Sequence, residues 1–495
     1  MKLIESISLP KVQWYCTREV EKILLVAVDC IAMIAAFFFS IIIMSIAKDS
    51  AIANEFSLLL AKNNSIRIWN YFFLTTLTIG ALLVKGHYST RRPYWNGVRD
   101  ILHITLICAL IDSALFFLGQ REFSRGSFII NWLLAPCFLI LLRSILKHLL
   151  TAAGGWVQPM VIIGWGGNAL ETARAFEDEA LMGYRIIAFL IPDGNQKFAN
   201  NYKDRNGVLI PCISLGKNPE FTLTSLGNPH IVVALEQGGI DDFQGLIQDL
   251  SRRYENIQIV PSLRGLPLYG MEVSHFFSHE VLLLTVRNNL SRRGPRLLKR
   301  CFDLFTAIFL LILISPLLLW IGLKVFSSGH PIFYGHKRVG QHGKHFLCYK
   351  FRTMLPNSDK LLQELLANDP AARDEWQRDF KLKNDPRITS IGKFLRKTSL
   401  DELPQLWNVL RGEMSFVGPR PIVDAELERY GNQINKYLEV KPGISGLWQI
   451  SGRNDVTYET RVYLDVWYVK NWSLFNDIVI LLKTAKVIFK KDGAY

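Results

Sequence analysis

Cysteine is scarce in this chain: seven in 495 residues, none in a Cys-x-x-Cys pair, with Cys30, Cys108 and Cys137 inside apolar runs. That pattern excludes a disulfide framework and a zinc site of ordinary spacing. Acidic residues are outnumbered, 43 Asp and Glu against 57 Lys and Arg, for a net charge of +14. A basic chain often binds nucleic acid. Here the basic residues flank apolar segments and form no stripe interleaved with aromatics. No nucleic acid is therefore expected as a partner, and anionic lipid head groups and anionic substrates are. No small-residue cleavage site follows the first apolar run convincingly, and that run is too long for a cleaved signal peptide.

Long apolar runs are what the chain has in their place. Hydrophobic residues make up 49%, and they concentrate early in Ile23–Ala47, Trp69–Val84, Ile101–Leu118 and Ser127–Leu142. A spanning helix needs about 17–25 mostly apolar residues, so the first run fits well and the others marginally. Asp29 and Asp112 lie within two of them. Both are expected to find polar partners inside the bundle; intramembrane carboxylates otherwise raise the prospect of a transport pathway. Arg18, Lys22, Lys85, Arg91, Arg92, Arg99, Arg143 and Lys147 lie at alternate ends of these runs. Positive-inside bias then puts the N-terminus, the middle loop and everything after the fourth helix in the cytoplasm.

Beyond about residue 155 the pattern becomes that of an α/β domain. Met160–Ile163 reads as a buried strand, followed by the GxGxxA turn Gly164-Trp165-Gly166-Gly167-Asn168-Ala169 and a helix through Phe176. This is the dinucleotide-binding pattern. Further strands are expected at Arg185–Ile191, ending at Asp193, and at Ile231–Leu235 and Ile257–Pro261. Trp165 crowds the loop, alanine replaces the third glycine, and no Tyr-x-x-x-Lys occurs in the segment. A Rossmann-like domain whose glycines only tighten the turn, or one with a regulatory ligand, is therefore preferred to one with catalytic NAD.

A basic cluster, Arg292, Arg293, Arg296, Lys299 and Arg300, precedes a fifth apolar run, Leu304–Val325, with Ser315-Pro316 at its centre. Proline inside a helix removes a hydrogen bond and clashes with the preceding turn. The run could span as a kinked helix, or form a re-entrant helix-break-helix, broken at Ser315 and Pro316, that dips in and returns. Basic residues on both flanks, with Lys337, Arg338 and Lys344 after Lys324, favour return to the same face.

The segment that says most about chemistry is Arg396-Lys397-Thr398-Ser399-Leu400-Asp401-Glu402-Leu403-Pro404-Gln405, with Val417-Gly418-Pro419-Arg420-Pro421 after it. Pro404 fits the first turn of a helix running to about Leu410. Two adjacent carboxylates then stand at its entrance, where the positive dipole end stabilises a carboxylate or a docked phosphate. Ser399-x-x-Glu402 is also a capping box, and those four residues alone favour the cap. Arg396 and Arg420 tip the balance to phosphate-ester chemistry, because arginine binds phosphate bidentately.

The stretches Lys350-Phe351-Arg352-Thr353-Met354, Arg396–Gln405, Val417–Pro421, Lys441-Pro442-Gly443 and Ser451-Gly452-Arg453 resemble the catalytic domain of the bacterial polyprenyl-phosphate hexose-1-phosphate transferases, the monotopic phosphoglycosyl transferases. The apolar run with Ser315-Pro316 resembles that family's re-entrant helix. The four early helices and the Rossmann-like middle resemble its long members. Ala367–Pro370 and Asp379–Pro386 resemble the galactose-transferring members.

The resemblance implies a membrane α-helical bundle over residues 1–150, an α/β Rossmann-like domain over 151–285, and an α-rich mixed catalytic domain over 286–495 with a re-entrant membrane helix at about 301–325. It implies a multi-pass protein of the bacterial inner membrane whose catalytic domain faces the cytoplasm. It implies, further, that Asp401 attacks the sugar-bearing phosphate of a UDP-hexose and expels UMP, that undecaprenyl phosphate takes the hexose-1-phosphate from the aspartyl intermediate, and that other residues have the following roles. Glu402 is the partner of Asp401. Lys350, Arg352, Arg396 and Arg420 hold phosphate oxygens. Arg338 and Asp477 match substrate-binding positions, with a structural salt-bridge role at least as well supported. Mg2+ neutralises the diphosphate, with Asp401 as a ligand. Galactose is the first choice of sugar and glucose the second, and the product enters O-antigen or capsule synthesis. Trp467, Lys470, Trp472 and Lys483 fit either the membrane interface or the domain's packing. A homodimer through the helices or middle domain is compatible with the sequence but not forced by it. Two rivals are a membrane-attached NAD-dependent nucleotide-sugar dehydratase or epimerase and a non-enzymatic transporter or scaffold.

Overall fold

The computed structural model describes residues 18–49, 65–118, 125–192, 201–216, 218–236, 244–254, 257–263, 265–275, 282–286, 289–369, 373, 385–451 and 457–490. They form two compact units, Met1–Leu263 and Arg264–Tyr495.

The first unit opens with four helices, α1 (Arg18–Ala47), α2 (Ser65–Val84), α3 (Tyr94–Leu118) and α4 (Arg125–Ala152). α1, α3 and α4 are long and apolar enough to cross a membrane, and α2 is shorter. Their polar residues face inward. Asp29 accepts hydrogen bonds from Tyr88 Oη at 2.5 Å and Arg143 Nε at 2.6 Å. Asp112 accepts one from Trp132 Nε1 at 2.8 Å. Both carboxylates thus have the partners expected of them, which offsets the cost of removing charge from water.

A five-stranded parallel sheet follows, from β1 (Gln158–Ile163), β2 (Tyr184–Ile191), β3 (Cys212–Ser214), β4 (His230–Val233) and β5 (Ile257–Ile259), in the order β3-β2-β1-β4-β5. Its central strands are apolar on both faces because helices cover both. Met160 and Ile162 pack on Ala169 and Ala173 of α5 (Gly167–Asp178). Val161 and Ile163 pack with Leu223 of α6 (Pro219–Ser225) and Leu250 of α7 (Gln244–Arg253). The expected strands are all present; Asp193 lies outside the described residues. At the glycine turn, Glu236 Oε1 accepts the Asn168 backbone N–H at 2.7 Å. A protein carboxylate therefore occupies the α5 N-terminus, where a dinucleotide pyrophosphate would dock.

The second unit contains a short hairpin, β6 (Glu272–His275) with β7 (Leu282–Thr285), and then α8 (Arg293–Phe326), which runs on through Ser315 and Pro316, so the helix break expected there does not form. One face of α8 packs along the unit for most of its length. Ala307 joins Phe346, Val409 and Met414, while Ile321 and Val325 join Phe351 and Leu395. The other face leaves Phe305, Phe309, Ile312, Leu313, Leu319 and Leu323 exposed, Phe305 to 74% and Ile312 to 71%. So large an unpartnered apolar face marks contact with lipid or another apolar surface.

The rest of this unit is the hairpin of β8 (Phe333–Val339) and β9 (His345–Phe351), α9 (Ser358–Asn368), α10 (Ser390–Thr398), α11 (Gln405–Arg411), the parallel pair β10 (Ser415–Val417) and β11 (Gly443–Ser445), α12 (Ile434–Leu438), α13 (Leu447–Ile450), α14 (Tyr458–Lys470) and α15 (Leu474–Lys490). The motif glycines Gly418 and Gly443 face each other: a Cβ on Gly443 would lie 2.1 Å from Gly418 N. Their conformation serves close strand packing.

Candidate active site

The site forms where the β8–β9 hairpin meets the chain between α10 and α11. Strand register sets its first wall. Tyr334 pairs with Lys350, His336 with Cys348 and Arg338 with Phe346. Directly opposed residues share a face, so Arg338 and Lys350 point the same way, with Cys348 between them.

The second wall depends on a sharp change of direction. α10 ends at Ser399, which adopts a left-handed conformation with φ 56°. Such a conformation is uncommon for a residue with a side chain and clusters at functional sites. Leu400–Glu402 follow as a 3-10 turn, and Pro404 at φ −61° leads into α11. Ser399 makes no side-chain cap, so the capping box does not form. Glu402 instead accepts a hydrogen bond from Lys350 Nζ at 2.6 Å, and the same ammonium lies 3.8 Å from Asp401 Oδ2.

Asp401 is mostly buried, and burial raises its pKa; Lys350 opposes that rise and Glu402 adds to it. Burial acts to lower the Lys350 pKa, but Glu402, then Asp401, outweigh it and leave the lysine raised and charged. Cys348 is pushed up to about 11 by burial and feels Lys350, Glu402, Arg338 and Arg420. Those four charges therefore share one neighbourhood. Arg338 is lowered by burial and by Arg420; its Nη1 donates to Pro421 O at 3.2 Å and lies 3.8 Å from Glu426 Oε2. Arg420 is exposed, its guanidinium 5.7 Å from the Trp448 ring centroid.

Arg396 reaches the site through a close backbone approach. A Cβ on Gly392 would lie 2.1 Å from Thr353 O, so glycine lets α10 sit against the end of β9. Arg396 Nε then donates to Thr353 Oγ1 at 2.9 Å.

Two residues expected to bind substrate lie elsewhere. Arg352 donates to the carbonyls of Pro331 at 2.7 Å, Met354 at 3.0 Å, Gly329 at 2.5 Å and Val325 at 3.3 Å. It clamps the C-terminus of α8 to the hairpin, and only its Phe351-side neighbour Lys350 faces the carboxylates. Asp477 is fully buried. It accepts from Lys299 Nζ at 2.7 Å, Tyr468 Oη at 2.8 Å and Trp472 Nε1 at 3.0 Å. A carboxylate without exposed surface cannot meet a soluble donor, so this assignment gives way to the structural role also considered for it. Trp472 is likewise core, whereas Lys483 is exposed. Gly452 and Arg453 of the expected motif lie outside the described residues.

Sequence reasoning missed Asn408. Its Oδ1 accepts from Tyr349 N at 3.1 Å and its Nδ2 donates to Leu347 O at 2.7 Å and Glu413 Oε2 at 2.6 Å. This locks α11 to β9, and with it the carboxylates to Lys350. An asparagine within the apolar run Leu406–Leu410 was the available signal, since a buried amide needs partners.

A family description, bacterial sugar transferase, matches residues 294–491. The chain is 47% identical over 433 residues to the undecaprenyl-phosphate galactose phosphotransferase of Salmonella typhimurium strain LT2, covering 87% of this chain and 89% of that one. It is 31% identical over 369 residues to the UDP-glucose:undecaprenyl-phosphate glucose-1-phosphate transferase of Xanthomonas campestris pv. campestris, covering 72% and 71%. It is 56% identical over 198 residues to the exopolysaccharide production protein ExoY of Sinorhizobium fredii strain NBRC 101917, covering 40% of this chain and 88% of that one. The chain belongs to the bacterial sugar transferases and is a membrane-associated enzyme of that class.

Proposed function

We propose that the protein transfers hexose-1-phosphate, with galactose as the sugar, from a UDP-hexose to undecaprenyl phosphate and releases UMP, as the first membrane step of O-antigen or capsule synthesis. The observation that carries this reading is the Asp401–Glu402 pair held against Lys350, with Nζ–O distances of 3.8 and 2.6 Å. An Asp401 oxygen attacks the sugar-bearing phosphorus. The bond from that phosphorus to the bridging oxygen breaks, and UMP leaves with the electron pair. A phosphate oxygen of the lipid then attacks the same phosphorus and frees Asp401. Lys350, Arg396, Arg420 and Arg338 stabilise charge on the phosphoryl oxygens, and Glu402 holds Lys350 in place and serves the acceptor step.

Among the described residues no three carboxylates, histidines or cysteines gather as a metal cage. Mg2+ is usually held by one or two carboxylates together with substrate phosphates, and Asp401 with Glu402 fits that donor set. Bound there with the diphosphate, the ion would neutralise the phosphate charge.

The finer architecture belongs to the same proposal. The sheet domain is Rossmann-like and structural; it begins near residue 150 and ends at Leu263, ahead of the expected boundary at 285, because the β6–β7 hairpin groups with the second unit. The bacterial sugar transferase match, residues 294–491, lies within the last part. α8 dips into the membrane and keeps both ends on the same side of it. Both its ends bond the same unit: Arg300 donates to Val409 O and Leu410 O at 2.6 and 2.8 Å, and Val325 O accepts from Arg352. A helix crossing to the far side would carry one end away from that unit. Cysteines placed at Arg292 and Ser327 should then react from one side, the cytoplasmic one, of inner-membrane vesicles; labelling from opposite sides contradicts re-entry.

The test of the reaction is UMP release by purified protein with magnesium, undecaprenyl phosphate and either UDP-galactose or UDP-glucose. Lipid-dependent release, faster with UDP-galactose, is expected. Faster release with UDP-glucose reassigns the sugar, and none from either donor contradicts the reading.

A further inference from the structure

The first unit contains a cavity of about 120 Å3 at the end of the bundle where α1 begins, α4 ends and the α2–α3 connection turns. Six cations, Arg18, Lys22, Arg91, Arg92, Arg143 and Lys147, line it against one carboxylate, Glu21.

Most of those cations are already held. Arg143 Nε bonds Asp29 at 2.6 Å, Arg91 bonds Glu21 at 2.8 Å, Arg92 bonds Asp100 at 2.9 Å, and Lys22 bonds Glu19 at 2.5 Å. Lys147 and Arg18 are different: among the described residues neither side chain makes a hydrogen bond or an ion pair. The Lys147 ammonium is half-buried, 5.4 Å from the Trp156 ring centroid. Placing an ammonium out of water is costly unless an anion meets it. Nε2 of His230, stacked on Tyr184 in the same lining, is also buried without a hydrogen-bond partner.

The remaining wall is polar at Ser89, Thr90, Ser144, Gln158 and Gln258 and apolar towards the helices. Leu25, Ile101 and Ile140 line the apolar part, and they belong to α1, α3 and α4, whose outer faces expose Ile31, Phe39, Leu106, Ile107, Leu133 and Leu141. Free positive charge above an apolar cleft, at the basic end of a membrane bundle, suits a lipid phosphate. A nucleotide base would need an open aromatic face. Of the four aromatic rings in the lining, three are covered by guanidinium groups: Trp156 and Tyr184 by Arg91, 4.3 and 5.4 Å from their centroids, and Tyr88 by Arg143 at 5.4 Å.

We propose that this cavity binds the phosphate of an anionic membrane lipid, with Lys147 and Arg18 as its charge partners and Leu25, Ile101 and Ile140 receiving the start of its chain. Nothing in this assignment depends on Asp401 or on the identity of the sugar.

Native mass spectrometry of the full-length protein released from detergent micelles tests it, with phosphatidylglycerol and phosphatidylcholine offered in equal amounts. The protein should retain one phosphatidylglycerol in preference to phosphatidylcholine. Lys147→Gln and Arg18→Gln should each weaken that retention about tenfold, the scale of one charge-assisted hydrogen bond. Lys147→Arg should preserve it, which separates lost charge from lost fold. Millimolar inorganic phosphate or UMP should leave the lipid in place. Equal retention of the two lipids, or unchanged retention in Lys147→Gln, overturns the proposal. Displacement by inorganic phosphate or UMP overturns the lipid assignment and makes the site one for a soluble phosphate.

Discussion

Lys350 Nζ stands 2.6 Å from Glu402 Oε1 and 3.8 Å from Asp401 Oδ2, so one ammonium serves both carboxylates. It acts against the burial that raises the pKa of Asp401, and in the proposed mechanism that keeps the nucleophile ionised.

This arrangement predicts a change in pH profile. Asp401 is raised above the ordinary 3.8 by burial, and Lys350 acts against that rise. Lys350→Met removes the opposing charge. The acid limb of UMP release should therefore move to higher pH, and the plateau rate should fall by about 100-fold. A profile with the limb unmoved would separate Lys350 from the ionisation of Asp401.

Arg352 is expected to matter for stability more than for donor binding. Its guanidinium bonds four backbone carbonyls around the end of α8. Arg352→Met leaves those carbonyls without their donor, at a cost of about 3 kcal/mol. A fall in Tm with a nearly unchanged KM for the UDP-sugar is predicted; a large KM increase at unchanged Tm would return Arg352 to the substrate.

The Lys299–Asp477 pair, 2.7 Å apart and buried, tests the revised role of Asp477. Removing one partner strands a buried charge, so Asp477→Ala should destabilise by about 3–5 kcal/mol. Lys299→Met combined with Asp477→Leu should cost less than Asp477→Ala alone. Denaturation of the two variants in the same detergent decides the point.

Asp465 supplies a pH-dependent stability. It is buried, accepts a hydrogen bond from Tyr430 Oη at 2.8 Å, and is pushed up to about 7 by burial. A carboxyl with a raised folded pKa holds its proton more tightly when folded. Its stabilisation is complete below the unfolded value, about 3.9, and is lost as pH rises through about 7. Between pH 5 and 8 the Tm of the wild type should fall more steeply than that of Asp465→Asn; parallel curves would contradict the assignment.

What could be read in advance follows from the range of the interactions. The apolar runs, the strand-turn-helix at Met160–Phe176 and the carboxylate motif after Arg396 are local patterns, and all appear as elements in place. The partners of individual charges depend on contacts distant in sequence. Lys350 meets Glu402 across 52 positions and Lys299 meets Asp477 across 178, and no spacing rule predicts either. Arg352 illustrates the same limit: a motif next to Lys350 marks it as important, but Pro331 O, 21 positions away, comes to it only in the folded chain. Ser399 shows a local pattern overridden, since the left-handed turn that swings Asp401 towards the hairpin also removes the capping box.

The most direct test of the central claim is a search for the aspartyl intermediate. The protein is incubated with magnesium and UDP-galactose carrying label in the sugar-bearing phosphate, without lipid acceptor, then digested and examined by mass spectrometry. The account predicts a hexose-phosphate on the peptide containing Asp401, lost on adding undecaprenyl phosphate and absent in Asp401→Asn, with folding retained. Labelled undecaprenyl-diphospho-hexose formed by Asp401→Asn at the wild-type rate, with no labelled peptide from either protein, would contradict it.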